Sequence, residues 1–168
     1  MRRNALFLDR DGVINRRIVG DYVRTPETFV LLRDILPVLQ QAHQAGMLLI
    51  LVTNQQGVGK GLMSIHELDV VHEHMQMLLR SELGFALDAI YSCTDLASAN
   101  SFRRKPAPGM LLEAMAAFDI EAATSWFLGD SITDAQAGRA AGVRTILVGN
   151  HPSEAADIVV PTLRDVKL

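Results

Sequence analysis

The chain has 168 residues, 49% of them hydrophobic and 21% charged, with a formal net charge of -3. That length suits one domain that buries a core without cross-links, and the composition is far from the low hydrophobicity of disordered chains. A slightly negative chain lacks the basic field that general binding to nucleic acid or anionic membrane requires. Cys93, the only cysteine, excludes an intrachain disulfide and a Cys-x-x-Cys centre.

At the N-terminus, Met-Arg-Arg-Asn leads into an apolar run that Asp9 interrupts. It is too short for a signal-peptide core, and no later stretch reaches bilayer length. The expectation is a single domain over residues 1–168 in a reducing cytoplasm. Ala5 to Leu8 reads as a buried strand ending at Asp9-Arg10-Asp11-Gly12. Asp34 then caps a helix to Ala45 that Gly46 stops, with Pro37 tolerated in its first turn. Leu48 to Val52 is a second strand, followed by Thr53-Asn54-Gln55.

Gly57-Val58-Gly59-Lys60-Gly61 lacks the glycine and hydroxyl positions of a nucleotide-binding P-loop and is expected to be a loop that shapes the site entrance or serves only as a flexible connection. Ser64 with Glu67 is a capping box for the longest helix, which carries Leu68, Val71, Met75, Leu78 and Leu79 before Gly84. His66, His72 and His74 on that helix do not share a face at metal-binding spacing and read as solvated surface. Strands Ala89 to Tyr91, Trp126 to Leu128, Thr145 to Val148 and Ile158 to Val160 follow, with helices over Pro108 to Phe118 and Asp134 to Ala141 between them. This alternation predicts an α/β fold, a Rossmann-like three-layer α/β/α sandwich around a mainly parallel sheet. No insertion is long enough for a sizeable cap domain, so the loop Asn15 to Phe29 or a neighbouring subunit is left to close the site.

Ligands bind beyond the carboxyl ends of parallel strands. Asp9, Asp11, Thr53, Asn54, Gly129 and Asp130 fall at such ends, and Arg103-Arg104-Lys105-Pro106 follows the third strand after a loop. Together they offer a carboxylate nucleophile, a second carboxyl for proton transfer, a hydroxyl and an ammonium for phosphate oxygens, and further carboxylate for a cation. Asp9 and Asp11, two apart in extended backbone, face the same side. Asp9 would attack phosphorus; Asp11, its pKa raised by its surroundings, would protonate the leaving oxygen and later activate water.

These motifs, in this order, resemble the haloacid dehalogenase (HAD) superfamily of phosphatases. The longer strings Leu8-Asp9-Arg10-Asp11-Gly12-Val13-Ile14-Asn15, Val52-Thr53-Asn54-Gln55-Gln56-Gly57-Val58 and Arg104-Lys105-Pro106-Ala107-Pro108-Gly109-Met110 resemble its histidinol-phosphatase and heptose-bisphosphate phosphatase branch. The resemblance implies Asp9, Asp11, Thr53 and Lys105 as catalytic residues. It implies Asn54, Gln55 and Arg104 as substrate contacts, and Mg2+ held by Asp9, Asp130 and the Asp11 backbone carbonyl, with Asp134 close to but outside the ligand set.

That branch commonly carries a structural zinc on a Cys-x-His and a Cys-x-Cys pair. Here the positions read Cys93-Thr94-Asp95 and Ser101-Phe102-Arg103, so no zinc is expected. The implied substrate is a small phosphorylated metabolite, foremost D-glycero-D-manno-heptose 1,7-bisphosphate. Histidinol phosphate, a nucleic-acid 3′-phosphate and a non-catalytic phosphate-binding role are the alternatives, and neither a nucleic-acid nor a membrane partner is expected.

Overall fold

The computed structural model describes residues 2–168. Six strands, β1 (Ala5–Leu8), β2 (Leu48–Asn54), β3 (Ala89–Cys93), β4 (Trp126–Gly129), β5 (Arg144–Val148) and β6 (Ile158–Val160), form one sheet in the order β3-β2-β1-β4-β5-β6. Every neighbouring pair is parallel. The helices are α1 (Leu36–Gln44), α2 (Gln56–Gly59), α3 (Ile65–Leu83), α4 (Gly109–Phe118) and α5 (Ile132–Ala140). None is long and apolar enough to cross a membrane.

Side chains alternate across the strands and so feed two main cores, with a smaller cluster of Ala135, Leu147 and Ala156 beside them. Leu6, Leu8, Leu49 and Leu51 pack on one face with Leu39 of α1 and Val71, Met75 and Leu79 of α3. Ala5, Phe7, Leu48, Ile50 and Val52 pack on the other with Met110 and Leu111 of α4 and Ala137 of α5. Because both faces are covered, the strands are near-continuous apolar runs, and the fold is the expected three-layer sandwich.

β2 runs two residues beyond its apolar stretch because Thr53 and Asn54 pair with Ser92 and Cys93 of β3. α3 begins and ends as expected. The Ser64 side chain accepts from the Glu67 amide, the Glu67 side chain caps Ser64, and Gly84 closes the helix at φ +81°.

Three expectations need correction. A 3-10 turn over Arg33–Ile35 leads into α1, so Asp34 does not cap that helix; its carboxylate pairs with Arg164 at 3.0 Å. α5 starts earlier than Asp134, because Ser131 is the cap and Asp134 completes the capping box from inside the first turn. Part of the glycine-rich stretch is not loop but the single turn α2.

Candidate active site

The strand order fixes where the site lies. From β1 the chain builds outward through β2 and β3, then returns to lay β4 against the opposite side of β1. Loops leaving the ends of β1 and β4 therefore part, and a crevice opens between them. A cavity of about 320 Å3 occupies it, lined by Asp9, Asp11, Asn54, Arg104, Lys105, Asp134 and others. Arg17, Ile18, Asp21 and Tyr22 of the loop after β1 line it as well. The Tyr22 ring rests on Gly57, where a Cβ would press against it, with the Lys60 ammonium 5.5 Å from the ring centre.

At the floor, the buried Lys105 ammonium donates to Asp9 Oδ1 at 2.9 Å, Asp134 Oδ1 at 2.7 Å and the Val52 carbonyl at 2.9 Å. Burial works against its charge, but Asp134 and Asp9 more than offset that and hold its pKa above the ordinary lysine value. Burial and the charge of Asp134 push the Asp9 carboxyl up to about 7. Asp130, raised to about 6 chiefly by burial, pairs with Arg17 at 3.0 Å.

Carboxylate oxygens of Asp9, Asp130 and Asp134 lie within 4.8 Å of one another. Such crowding leaves negative charge that Lys105 and Arg17 do not fully compensate. An all-oxygen donor set in that condition fits a hard divalent cation such as magnesium.

Asp11 has different surroundings. Asn15 Nδ2 donates to its carboxylate at 2.9 Å, Gln55 Nε2 at 2.8 Å, and one Arg10 nitrogen reaches both oxygens at 3.2 and 3.3 Å. Burial alone would raise its pKa, but Arg10 and the amide donors outweigh it and hold the carboxyl below its usual range. The expectation of a raised pKa at Asp11 is therefore reversed: among the two motif carboxyls it is Asp9 that is raised.

A family model described as HAD-hydrolase-like matches residues 102–166. The D-glycero-alpha-D-manno-heptose-1,7-bisphosphate 7-phosphatase of Burkholderia mallei is 38% identical over 99% of this chain and 93% of its own length. The protein of the same name from Mycobacterium tuberculosis is 43% identical over 77% of this chain and 68% of its own. Among solved structures, D,D-heptose 1,7-bisphosphate phosphatase from B. bronchiseptica, complexed with magnesium and phosphate, superposes with a TM-score of 0.85. It is 30% identical, and the match covers 96% of this chain and 94% of that one.

The chain belongs to the HAD-like phosphatases. Of the residues that the HAD motifs singled out, Asp9, Asp11, Asn54, Arg104 and Lys105 border the cavity. Asp130 joins them through the acidic cluster. Thr53 is fully buried; its hydroxyl accepts from Gln55 Nε2 at 3.0 Å, which leaves the hydroxyl proton free to be donated. Asn54, read as a substrate contact, also clamps Lys105: its amide donates to the Lys105 carbonyl at 3.0 Å and accepts from the Lys105 amide at 3.1 Å. Gln55, also read as a substrate contact, is 1% exposed and engaged with Thr53, Asp11 and Arg10 behind the cavity wall.

The sequence reading assigned no role to Arg10, Asn15 or Arg17, and took His72 for solvated surface. The His72 reading is overturned: it is 6% exposed, and its Nε2 lies 3.1 Å from an Arg10 guanidinium nitrogen. Burial and the Arg10 charge push its pKa down to about 3, so the ring is a neutral acceptor. The signal was present in the spacing, since His72 follows Leu68 by four and precedes Met75 by three, on the apolar face of α3. Asp134 also does more than flank the site. Its Oδ2 accepts from the Asp130 and Ser131 amides at 3.2 and 3.1 Å while Oδ1 holds Lys105.

Proposed function

We propose that this phosphatase removes the 7-phosphate of D-glycero-D-manno-heptose 1,7-bisphosphate through an aspartyl-phosphate intermediate on Asp9. The observation that carries the chemistry is the convergence of Asp9, Lys105 and Asp11 on one open cavity. The substrate reading draws on relatives that bear this activity in their names and match nearly the whole chain.

In the first step an Asp9 oxygen bonds to phosphorus as the bond to the sugar oxygen breaks, and Asp11 supplies the proton that oxygen needs. In the second, Asp11 takes a proton from water as the water oxygen attacks phosphorus. Inorganic phosphate leaves, and the Asp9 carboxylate is restored. Lys105 and the Thr53 hydroxyl hold the transferring group, and Asp134 keeps Lys105 aimed at it. Magnesium held by Asp9, Asp130 and the Asp11 backbone carbonyl would offset the repulsion between a phosphate dianion and an attacking carboxylate. Because the donors around Asp11 suit its ionised form, it must release some of them to carry the proton of the first step. Arg104 and Arg17 on the cavity wall face the rest of an anionic substrate.

Phosphate release, measured with magnesium or with chelator, tests this reading across heptose 1,7-bisphosphate, heptose 1-phosphate, histidinol phosphate and a 3′-phosphorylated oligonucleotide. Magnesium-dependent release from the bisphosphate, with the 1-phosphate left intact, is expected. Preference for histidinol phosphate or the oligonucleotide would overturn the substrate. Asp9→Asn is expected to abolish release and Asp11→Asn to slow it by about 100-fold or more; turnover like that of the unaltered enzyme by either would overturn its role.

A further inference from the structure

Arg10 stands between the two acidic residues of the first motif and is fully buried, as is Gln55 beside it. Its Nε has no partner among the described residues, so the guanidinium is oriented at its two terminal nitrogens. One meets Asp11 and Gln55 Oε1, and the other meets His72 Nε2. Removing either end leaves the planar group free to swing about the remaining contact.

A buried arginine and histidine are a costly way to fill a helix–sheet interface. The neighbouring inward positions of α3 are all apolar: Leu68, Val71, Met75 and Leu79. A leucine at position 72 would suit packing alone. The histidine instead supplies the one acceptor that the far side of Arg10 has among the described residues, at the end of a chain of contacts leading to Asp11 on the cavity wall.

We propose that His72 is a positioning residue for this reaction: by accepting from Arg10 it fixes the guanidinium and, through it, the carboxyl of Asp11. The inference rests on the reading of Asp11 as the proton donor and acceptor. His72 itself touches neither substrate nor phosphorus.

p-Nitrophenyl phosphate separates the two steps, because nitrophenolate departs without needing a proton and only hydrolysis of the phosphoenzyme then depends on Asp11. For His72→Leu the expectation is a rapid burst of nitrophenolate followed by a steady state slower by about tenfold or more, with KM unchanged or lowered. His72→Gln returns an acceptor oxygen near the place of Nε2 and is expected to recover the rate to within about threefold. Arg10→Lys keeps the charge but loses the fork; it is expected to show the same burst and serves if His72→Leu does not fold.

Three results would overturn the proposal: unimpaired turnover by a folded His72→Leu, a loss confined to a raised KM without a burst, or a His72→Gln variant as slow as His72→Leu. Asp11→Asn, measured alongside, separates the two claims. If it turns over like the unaltered enzyme, the Asp11 reading fails. If it shows the burst and His72→Leu does not, only the role of His72 fails.

Discussion

Gly12 adopts φ +90°, and a Cβ there would collide with the Asp130 carboxylate. The motif needs glycine for two reasons at once, a backbone turn that other residues resist and the close approach of an acidic side chain from the neighbouring strand end. Gly12→Ala is therefore expected to displace Asp130 and weaken magnesium binding by about tenfold or more, measured by calorimetry on the folded variant. Binding equal to that of the unaltered protein would remove Asp130 from the metal site. At this scale the motif residues were legible because their types announce chemistry. The buried partners that orient them were not, since Arg10, Asn15 and His72 look like ordinary polar residues until packing shows them buried.

Among the elements, β1 and β6 were legible to the residue: β1 because a strand buried between two helical layers is apolar along its whole length, and β6, a half-exposed edge strand, because its three residues form a β-branched apolar run. α2 was not: Gln56-Gly57-Val58-Gly59 has poor helix propensity, and its single turn sits under the Tyr22 ring, a contact from a distant loop. α3 shows how a local signal survives folding, since both halves of its capping box form, with the Ser64 amide 2.6 Å from Glu67 Oε2. Ser64→Ala is expected to lower stability by about 1 kcal/mol, read as a shift in the urea midpoint with unchanged slope. No shift would mean that tertiary packing alone defines the start of α3.

α5 carries a dual duty at the same scale. Asp134 caps it through one carboxylate oxygen and fixes Lys105 through the other. The strand-end motif and the helix start are thus one construction, which explains why a reading that began α5 at Asp134 missed its first turn.

For the molecule as a whole, the acidic centre links metal, protons and folding. In the metal-free protein Asp9 and Asp130 are raised to about 7 and about 6 from the carboxylate value of 3.8. Between these values the folded protein holds protons that the unfolded chain has released, so this contribution to stability falls as pH rises through that window. A cation must displace the same protons. The rise in melting temperature on adding magnesium is therefore expected to be larger at pH 8 than at pH 5, and about 2.7 kcal/mol of stabilisation accompanies magnesium at 100 times its Kd. An equal or larger rise at pH 5 would show that these carboxylates do not bind the ion.

The most direct test of the account is chemical trapping of the intermediate. Enzyme turning over heptose 1,7-bisphosphate is quenched with borohydride, which reduces an acyl phosphate to an alcohol, and its peptides are mapped by mass spectrometry. The reduced side chain is expected at Asp9 alone, and to be absent without substrate. A reduced side chain elsewhere, or none during sustained phosphate release, would contradict nucleophilic attack by Asp9.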